Sequence, residues 1–240
     1  MTAFGHVRRV PDVDRVPGEG RALRFAVVDY GAGNLVSIDQ ALTRVGAEVS
    51  IARDPSAFAG AHALVVPGVG AAAPAMERLA AAGLVEPIRA WIAGGRPYLG
   101  ICLGLQLLFD GSDEDGALTL GVIRGRTARL RDAPTLPHIG WNQVERVREH
   151  PLFSGIAAAA DFYFVHSYAG VPEGPDAEAS TMARTSHGAS FVSAIARANI
   201  LGVQFHPERS GADGLRLLGN VVDIVRSGAI ATDPTIAVPA

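Results

Sequence analysis

Cys102 is the only cysteine of the 240-residue chain and lies in the segment RPYLGICLGLQLLFD, residues 96–110. A thiolate is a strong nucleophile, and enzymes often place a nucleophile in a sharp turn between a strand and a helix. The backbone is strained in such a turn and needs small neighbours, which Gly100 and Gly104 provide. The segment therefore predicts a nucleophile elbow, in which the N–H groups and dipole of the following helix LGLQLLF favour a thiolate. A buried structural cysteine at a tight turn is the alternative.

A general base for this nucleophile is available in the segment GVQFHPERS, which contains His206 and Glu208. His206 ends an apolar strand and precedes Pro207, which restricts His206 to an extended backbone. If that geometry continues, the side chain of Glu208 projects to the same side as the imidazole and holds one ring nitrogen while the other faces the thiol. Alone, the segment also fits a His-Pro turn on the surface. Together with the elbow it predicts a Cys–His–Glu triad.

The loop PGVG, residues 67–70, follows the third predicted strand. A loop flanked by glycines can turn a backbone N–H toward the sheet edge that carries Cys102, and with the N–H of Leu103 it would form an oxyanion hole. Turns of Gly and Pro are common, so the composition alone predicts little. The position at the carboxyl end of a strand, where open α/β sheets bind ligands, is what favours a functional loop.

Short apolar strands alternate with helices through the first hundred residues, which is typical of βαβ units and a parallel sheet. The predicted elements in this half are strands at 24–30, 47–53, 62–70 and 96–101 and helices at 34–45, 71–82 and 84–93. Strand-like segments then follow one another with short turns, which predicts an antiparallel extension of the sheet. They lie at 120–130, 138–147, 160–171, 181–188, 189–200 and 201–208, and a helix at 211–226 follows them. The sequence therefore predicts one α/β domain with a mixed, mostly parallel central sheet.

Composition and charge exclude several classes of function. The net charge is −3 and the 21 lysines and arginines are scattered, so no nucleic-acid partner is expected. A single cysteine excludes an internal disulfide, and no apolar run reaches the roughly 18–20 residues that a membrane helix requires. The histidines show no metal-ligand spacing, so we expect neither a metal nor another cofactor. These features favour a cytoplasmic protein.

The domain is predicted to span residues 23–228. Residues 1–22 are polar, lack an apolar core and carry acidic residues, which is unlike a signal or transit peptide. We interpret them as a flexible extension, and residues 229–240 as a loose tail.

Three of these segments, PGVG, GICLGLQ and FHPE, resemble the class I (triad) glutamine amidotransferases. Three others, DYGAGNL (29–35), PHIGWN (137–142) and FVHSY (164–168), together with the longer segment FHPERS (205–210), are similar to the glutaminase subunits of imidazole glycerol phosphate synthase. The resemblance covers about residues 24–227. It implies a flavodoxin-like sheet with helices on both faces and a cofactor-free hydrolysis of glutamine to glutamate and ammonia. It also implies a heterodimer in which ammonia passes to a (β/α)₈ cyclase that makes imidazole glycerol phosphate and an aminoimidazole carboxamide ribotide for histidine biosynthesis.

The resemblance assigns roles by position. Cys102 matches the nucleophile, His206 the base and Glu208 its orienting carboxylate, while Val69 and Leu103 match the backbone positions of the oxyanion hole. The positions that match glutamine-binding residues are Gly68, Gly70, Gln106, Ser167 and Tyr168. The positions in segments that line the partner interface and the ammonia route are Asn34, His138, Trp141, Asn142 and Arg209. Family members often carry lysine at the position of Arg209, so a partner contact there is expected to be bidentate.

Other functions share some of these residues. A glutaminase that feeds pyridoxal phosphate synthesis would have the same triad, although PHIGWN argues against it. A cysteine peptidase or a stand-alone γ-glutamyl hydrolase would use the same elbow without a partner. A non-catalytic interaction module would not need an intact triad. Only the histidine-pathway subunit is expected to gain glutaminase activity when it is mixed with the cyclase.

Overall fold

The computed structural model describes residues 22–228. The predicted tail and all but the last residue of the predicted extension lie outside the described residues. The strands are β1 (Leu23–Val28), β2 (Ala47–Ala52), β3 (Ala63–Gly68), β4 (Tyr98–Cys102), β5 (Gly111–Ser112), β6 (Gly125–Arg129), β7 (His138–Arg146), β8 (Ala159–His166), β9 (Tyr168–Pro172), β10 (Thr181–His187), β11 (Ala189–Arg197) and β12 (Ile200–Val203). The helices are α1 (Leu35–Arg44), α2 (Ala72–Ala81), α3 (Val85–Ala93), α4 (Leu103–Gln106), α5 (Asp176–Ser180) and α6 (Gly211–Ser227).

The main sheet has nine strands in the order β2-β1-β3-β4-β12-β11-β10-β7-β8. Its first five strands are parallel to one another, and their order is that of a flavodoxin-like sheet. The last four continue the sheet in antiparallel pairs. The predicted α/β fold, with a parallel centre and an antiparallel extension, is therefore confirmed.

Three details of the predicted sheet were wrong. The segment 201–208 contributes β12, which runs parallel to β4 and belongs to the parallel half. The segment 120–130 contributes β6, which forms a separate three-stranded sheet with β5 and β9. The segment 160–171 is not one strand, because the chain leaves the main sheet after β8 and enters the small sheet as β9. Apolar patterning records burial and not the direction of a strand, so these differences were not visible in the sequence.

Two hydrophobic cores lie on opposite faces of the main sheet. In β1, Phe25 and Val27 contribute to one core, while Ala26 and Val28 contribute to the other. Helices α1 and α6 cover the first core, and α2 and α3 cover the second. Burial on both faces explains why the central strands β3, β4 and β12 are apolar runs without alternation. No helix among residues 22–228 is long and apolar enough to cross a membrane.

The parallel half brings three strand ends to one edge of the sheet. Gly68 at the end of β3 pairs in register with Cys102 at the end of β4. On the other side of β4, Val203 at the end of β12 pairs with Ile101. The chain segments that follow these ends contain PGVG, the start of α4 and FHPE, which are the segments that the sequence singled out.

Candidate active site

Cys102 has the strained backbone of an elbow. Its φ of 53° and ψ of −107° lie in a region that residues other than glycine rarely adopt. A Cβ at Gly100 would lie 2.5 Å from the carbonyl oxygen of Gly104, and a Cβ at Gly104 would lie 1.7 Å from that of Val66. Both contacts are with backbone, which cannot easily move aside. The two glycines are thus required by the close approach of β3, β4 and α4, as the sequence indicated.

The helix after Cys102 is shorter than expected. Helix α4 has four residues, and after the bond from the N–H of Leu107 to the oxygen of Leu103 the chain tightens into 3₁₀-type bonds. The segment LGLQLLF is apolar and suits a helix, but Leu107, Leu108 and Phe109 are buried in irregular structure beyond α4. The dipole that was expected to favour a thiolate is therefore that of a single turn, so it contributes little.

His206 and Glu208 form a buried pair. The His206 Nδ1–H donates to Glu208 Oε1 at 2.8 Å, and the two side chains are only 6% and 2% exposed. Because a carboxylate only accepts hydrogen bonds, the proton of a neutral His206 is on Nδ1, and Nε2 is free to accept another. His206 Nε2 is buried and makes no hydrogen bond of ordinary geometry with the residues that the structure describes. Burial lowers the pKa of His206, but its interactions with Cys102 and then Glu208 outweigh burial and raise this pKa to about 10.

The loop that carries His206 is held by hydrogen bonds on both sides. The backbone N–H of His206 donates to the oxygen of Tyr163 at 2.8 Å. The hydroxyl of Ser210 donates to the oxygen of His206 at 2.6 Å and accepts from the N–H of Tyr163 at 3.0 Å. Strand β8 therefore fixes the imidazole at the edge where β4 ends. This support comes from residues that the sequence analysis did not single out.

The PGVG loop lies beside the elbow. The hydroxyl of Tyr30 donates to the oxygen of Pro67 at 2.9 Å, and a Cβ at Gly68 would lie only 2.0 Å from this hydroxyl. Burial raises the pKa of Tyr30, so it remains a neutral donor. Val69, the next residue, is 46% exposed, whereas Leu103 on the other side of Cys102 is buried. The structure thus places both predicted oxyanion positions next to Cys102.

A buried chain of hydrogen bonds also reaches the thiol of Cys102. Gln106 Nε2 donates to the oxygen of Tyr168 at 2.8 Å and to Gln204 Oε1 at 3.1 Å. Gln204 Nε2 in turn lies 3.5 Å from Cys102 Sγ. Ser167 and Tyr168 are half-buried at the junction of β8 and β9. The sequence analysis missed Gln204, although a glutamine at the end of an apolar strand and two residues before His206 was a usable signal.

The predicted partner-facing residues differ in their exposure to solvent and in their contacts. Trp141 is 57% exposed on β7, and the exposed Arg209 stacks its guanidinium over the ring of Tyr163 at 4.0 Å. Asn34 caps α1, because its Oδ1 accepts from the N–H of Ser37. Asn142 is half-buried and His138 is only 3% exposed, so the imidazole of His138 lies beneath the surface.

A pocket of about 50 Å³ lies between the start of α1 and the pair formed by His206 and Glu208. Its lining includes Asn34, Val69, His206, Glu208 and Arg209. Within residues 22–228, no group of three or more histidine, cysteine or acidic residues could hold a metal ion.

The chain is similar to known proteins along most of its length. The family model of the class I glutamine amidotransferases matches residues 26–223. The imidazole glycerol phosphate synthase subunit HisH of Symbiobacterium thermophilum is 49% identical over 82% of this chain and 92% of its own length. The HisH subunit of Moorella thermoacetica is 46% identical over 84% of this chain and 95% of its own length.

The chain belongs to the HisH family of class I glutamine amidotransferases. The predicted resemblance is therefore confirmed, and members of this family are glutaminase subunits of an enzyme. The matches extend over nearly the whole length of the HisH relatives.

Solved structures agree on the fold at much lower identity. A Thermoplasma acidophilum protein described as a putative GMP synthase component has a TM-score of 0.66 at 20% identity, and the match covers 88% of this chain and 97% of that chain. A structure described as a glutamine amidotransferase also gives 0.66 at 20% identity, over 82% of this chain and 98% of that chain. These structures therefore have the same fold as this chain.

Proposed function

We propose that residues 23–228 form a glutaminase domain that hydrolyses glutamine through Cys102, His206 and Glu208 and delivers ammonia to a cyclase subunit. One observation carries the proposal. A cysteine in a strained elbow at the end of β4 lies beside a buried histidine–carboxylate pair that follows the adjacent strand β12. This is the arrangement that nucleophilic catalysis by a thiol requires.

The reaction begins with the Cys102 proton on His206 Nε2. The pKa of His206 is raised by Cys102 and Glu208, which suits it to hold that proton while the sulfur carries negative charge. The sulfur attacks the side-chain carbonyl carbon of glutamine, and the N–H groups of Val69 and Leu103 stabilise the resulting oxyanion. His206 then protonates the leaving nitrogen, and the carbon–nitrogen bond breaks. The products of this half-reaction are ammonia and a γ-glutamyl thioester on Cys102.

Water completes the reaction. His206 removes a proton from the water that attacks the thioester, and the carbon–sulfur bond breaks to release glutamate and the thiolate. Glu208 keeps the imidazole in one tautomer and stabilises the imidazolium in both halves of the reaction. Its Oε1 is engaged by His206 Nδ1, and its carboxylate is almost fully buried. The fold thus already holds His206 and Glu208 in place for both halves of the reaction.

Glutamine would bind between the PGVG loop and the junction of β8 and β9. The substrate-binding positions in this proposal are Gly68, Gly70, Gln106, Ser167 and Tyr168. Gln106 commits both hydrogens of its amide nitrogen to Tyr168 and Gln204, so only its Oε1 is available to accept a hydrogen bond from the substrate. Gly70 has a φ of +92°, which favours glycine in the loop that approaches the substrate.

The partner surface would include the exposed face of β7. Ile139 and Trp141 are 60% and 57% exposed on β7, and large exposed apolar side chains are typical of interfaces. The interface and ammonia-route residues in the proposal are Asn34, His138, Trp141, Asn142 and Arg209. His138 is buried and would act on this surface indirectly, through its hydrogen bond with Asn142. The relatives are named as subunits of imidazole glycerol phosphate synthase, which supports a cyclase partner and a cytoplasmic role in histidine biosynthesis.

Mixing the chain with the cyclase subunit tests this function. We expect the isolated chain to release glutamate about 10²-fold or more slowly than the complex with a cyclase-substrate analogue, the scale that one oxyanion donor contributes. The PGVG loop offers a physical basis for this difference in rate. The peptide that carries the Val69 N–H is flanked by glycines and can rotate at little steric cost.

Two controls separate the competing functions. The synthase partner of a pyridoxal-phosphate glutaminase should give no stimulation, and γ-glutamyl peptides should not be hydrolysed. Equal rates with and without the cyclase, or full activity on γ-glutamyl peptides, would contradict the proposal.

A further inference from the structure

We propose that Gln204 is a positioning residue that holds the Cys102 sulfur in its reactive orientation by donating a hydrogen bond from its amide nitrogen. The inference rests on the proposed function, in which Cys102 is the nucleophile. It adds a fourth side chain to the three of the triad and assigns a role to a buried polar group that the triad mechanism leaves unused.

The position of Gln204 is fixed by the fold. The residue follows β12, is fully buried, and its backbone N–H donates to the oxygen of Ser193 on β11 at 2.9 Å. Its Nε2 lies 3.5 Å from Cys102 Sγ. Burying an amide without a compensating hydrogen bond is costly, so a glutamine here needs partners at both ends of its amide.

The orientation of the Gln204 amide follows from its neighbours. The carbonyl oxygen of Tyr168 can only accept, so Gln106 must present its nitrogen there. The second hydrogen of that nitrogen points to Gln204, which must present its oxygen in return. The nitrogen of Gln204 is therefore the atom that faces the sulfur. A flipped Gln204 would place two donors against each other and a carbonyl oxygen against the sulfur.

The same carbonyl is fixed from its other side by two histidines. His166 Nδ1 lies 2.9 Å from the oxygen of Tyr168, so it carries the proton and donates. A neutral His166 must then accept at Nε2 from His138 Nδ1 at 3.2 Å, and His138 must accept at its Nε2 from the amide of Asn142 at 3.1 Å. Burial lowers the pKa of His166 to about 3 and that of His138 to about 4, so both rings are neutral at neutral pH.

The result is a continuous series of donors and acceptors from Asn142 on β7 to the sulfur. Every amide and ring orientation in the series is set by the acceptor-only carbonyl of Tyr168. A network whose members are all satisfied is rigid, which suits a group that must not reorganise during the reaction.

The donor acts when charge develops on the sulfur. A hydrogen bond to a charged acceptor is stronger than one to a neutral acceptor, so the N–H of Gln204 stabilises the thiolate more than the thiol. His206 lies against the same sulfur, as the rise of its pKa by Cys102 shows. Loss of the donor should therefore slow the chemical step and leave glutamine binding unchanged, because Gln204 donates to the sulfur and not to the substrate.

The only cysteine of the chain provides a direct assay, since alkylation by iodoacetamide in the full-length protein reports on Cys102 alone. We expect Gln204→Met to react about 10-fold more slowly than the wild type, on the scale of one hydrogen bond to a charged group. Gln204→Glu should react more slowly still, because it places a second acceptor against the sulfur. If Gln204 had only a structural role, Gln204→Met would be alkylated more slowly than Gln204→Glu, because glutamate keeps the shape of glutamine and the hydrogen bond from Gln106.

The matched control is Ser193→Ala, on the strand next to Gln204. Its hydroxyl is buried and makes no hydrogen bond within residues 22–228, so its removal should leave the alkylation rate unchanged. Thermal unfolding of each variant checks that it folds, and if Gln204→Met does not fold, Gln204→Glu alone decides. A Gln204→Glu protein that is alkylated as fast as the wild type would overturn the proposal.

Steady-state kinetics of the complex with the cyclase separate this inference from the proposed function. We expect both Gln204 variants to lower kcat for glutamine hydrolysis, and we expect KM to stay unchanged in Gln204→Glu, which keeps the acceptor for Gln106. If Cys102→Ala remains active, the proposed function fails. If Cys102→Ala is inactive while both Gln204 variants keep the wild-type kcat, only the role of Gln204 fails.

Discussion

The parallel and antiparallel halves of the main sheet differ in what they bury. Strands β3 and β4 are buried along their whole length, and the PGVG loop and Cys102 lie at their carboxyl ends. Strand β7 of the antiparallel half alternates between exposed and buried residues and presents Ile139 and Trp141 to solvent. Burial on both faces fixes the position of a strand end, whereas an exposed face can accept another protein.

The difference predicts two kinds of sensitivity to substitution. In the parallel half, backbones approach so closely that a single methyl group has no room, and a change should affect folding and chemistry together. In the antiparallel half, an exposed side chain can be removed with little effect on the isolated chain but with a large effect on a partner.

Gly104→Ala is expected to have the largest effect. The new Cβ would lie 1.7 Å from the backbone oxygen of Val66, so β3 and the elbow would have to separate. We predict loss of glutaminase activity and a loss of about 1–3 kcal/mol or more in the free energy of unfolding, measured by urea denaturation. The control is Gly219→Ala in α6, where the nearest atom lies 4.0 Å away. That variant should be as stable as the wild type or more stable by up to about 1 kcal/mol. Equal effects of Gly104→Ala and Gly219→Ala would contradict the view that close backbone contacts at the elbow leave no room for a methyl group.

Trp141→Ala tests the expected behaviour of the antiparallel half. Its ring is 57% exposed and meets Tyr163 only edge-on at 6.2 Å between ring centroids. We predict a change below about 0.5 kcal/mol in the stability of the isolated chain, but a roughly 10- to 100-fold weaker affinity for the cyclase, measured by titration calorimetry. Val171→Ala, on the small sheet and 48% exposed, is the matched control and should leave the affinity unchanged. Unchanged affinity of the Trp141 variant would move the partner surface elsewhere.

The smallest expected effect is a pH dependence of stability that arises in the antiparallel half. Burial, followed by the nearby charges of His138, His187 and His206, lowers the pKa of His166 to about 3 despite its bond to Tyr168. The unfolded chain takes up a proton near pH 6.5 and the folded chain does not, so stability is complete above pH 6.5 and falls as the pH drops toward 3. Between pH 7 and pH 5 this loss is about 2 kcal/mol for one histidine.

The variant His166→Gln should lose correspondingly less stability than the wild type over that interval, measured by urea midpoints at both pH values. His206 contributes with the opposite sign. Its pKa is raised to about 10, so its contribution is complete below pH 6.5 and is lost as the pH rises toward 10. A wild type and variant with the same pH dependence between 7 and 5 would mean that His166 is not held neutral in the folded protein.

The sequence predicted the elbow because its steric requirements involve only residues close to Cys102 in the chain. Glycine on both sides of Cys102 has a steric meaning that does not depend on the rest of the fold, and the backbone contacts of Gly100 and Gly104 agree with it. The same holds for the spacing of His206 and Glu208 across a proline, which brings the two side chains to 2.8 Å. Most strands and the main helices were also predicted, since their apolar patterns are long and regular.

The features that the sequence missed depend on contacts between distant segments. Gln204 faces Cys102 across 102 positions of sequence, and Gln106 reaches Tyr168 across 62. The parallel direction of β12 and the departure of β9 into a second sheet are set by topology, on which apolar patterning is silent. Helix α4 ends early because the residues after it are buried in loops that no local propensity encodes.

The central claim is that Cys102 supplies the nucleophile for glutamine hydrolysis and that the ammonia produced serves the cyclase. The most direct test measures cyclase turnover in the complex with Cys102→Ala, first with glutamine and then with an ammonium salt as the nitrogen source. We predict that turnover with glutamine is abolished while turnover with ammonium equals that of the wild-type complex. Glutamine-dependent turnover near the wild-type rate in the Cys102→Ala complex would contradict the claim.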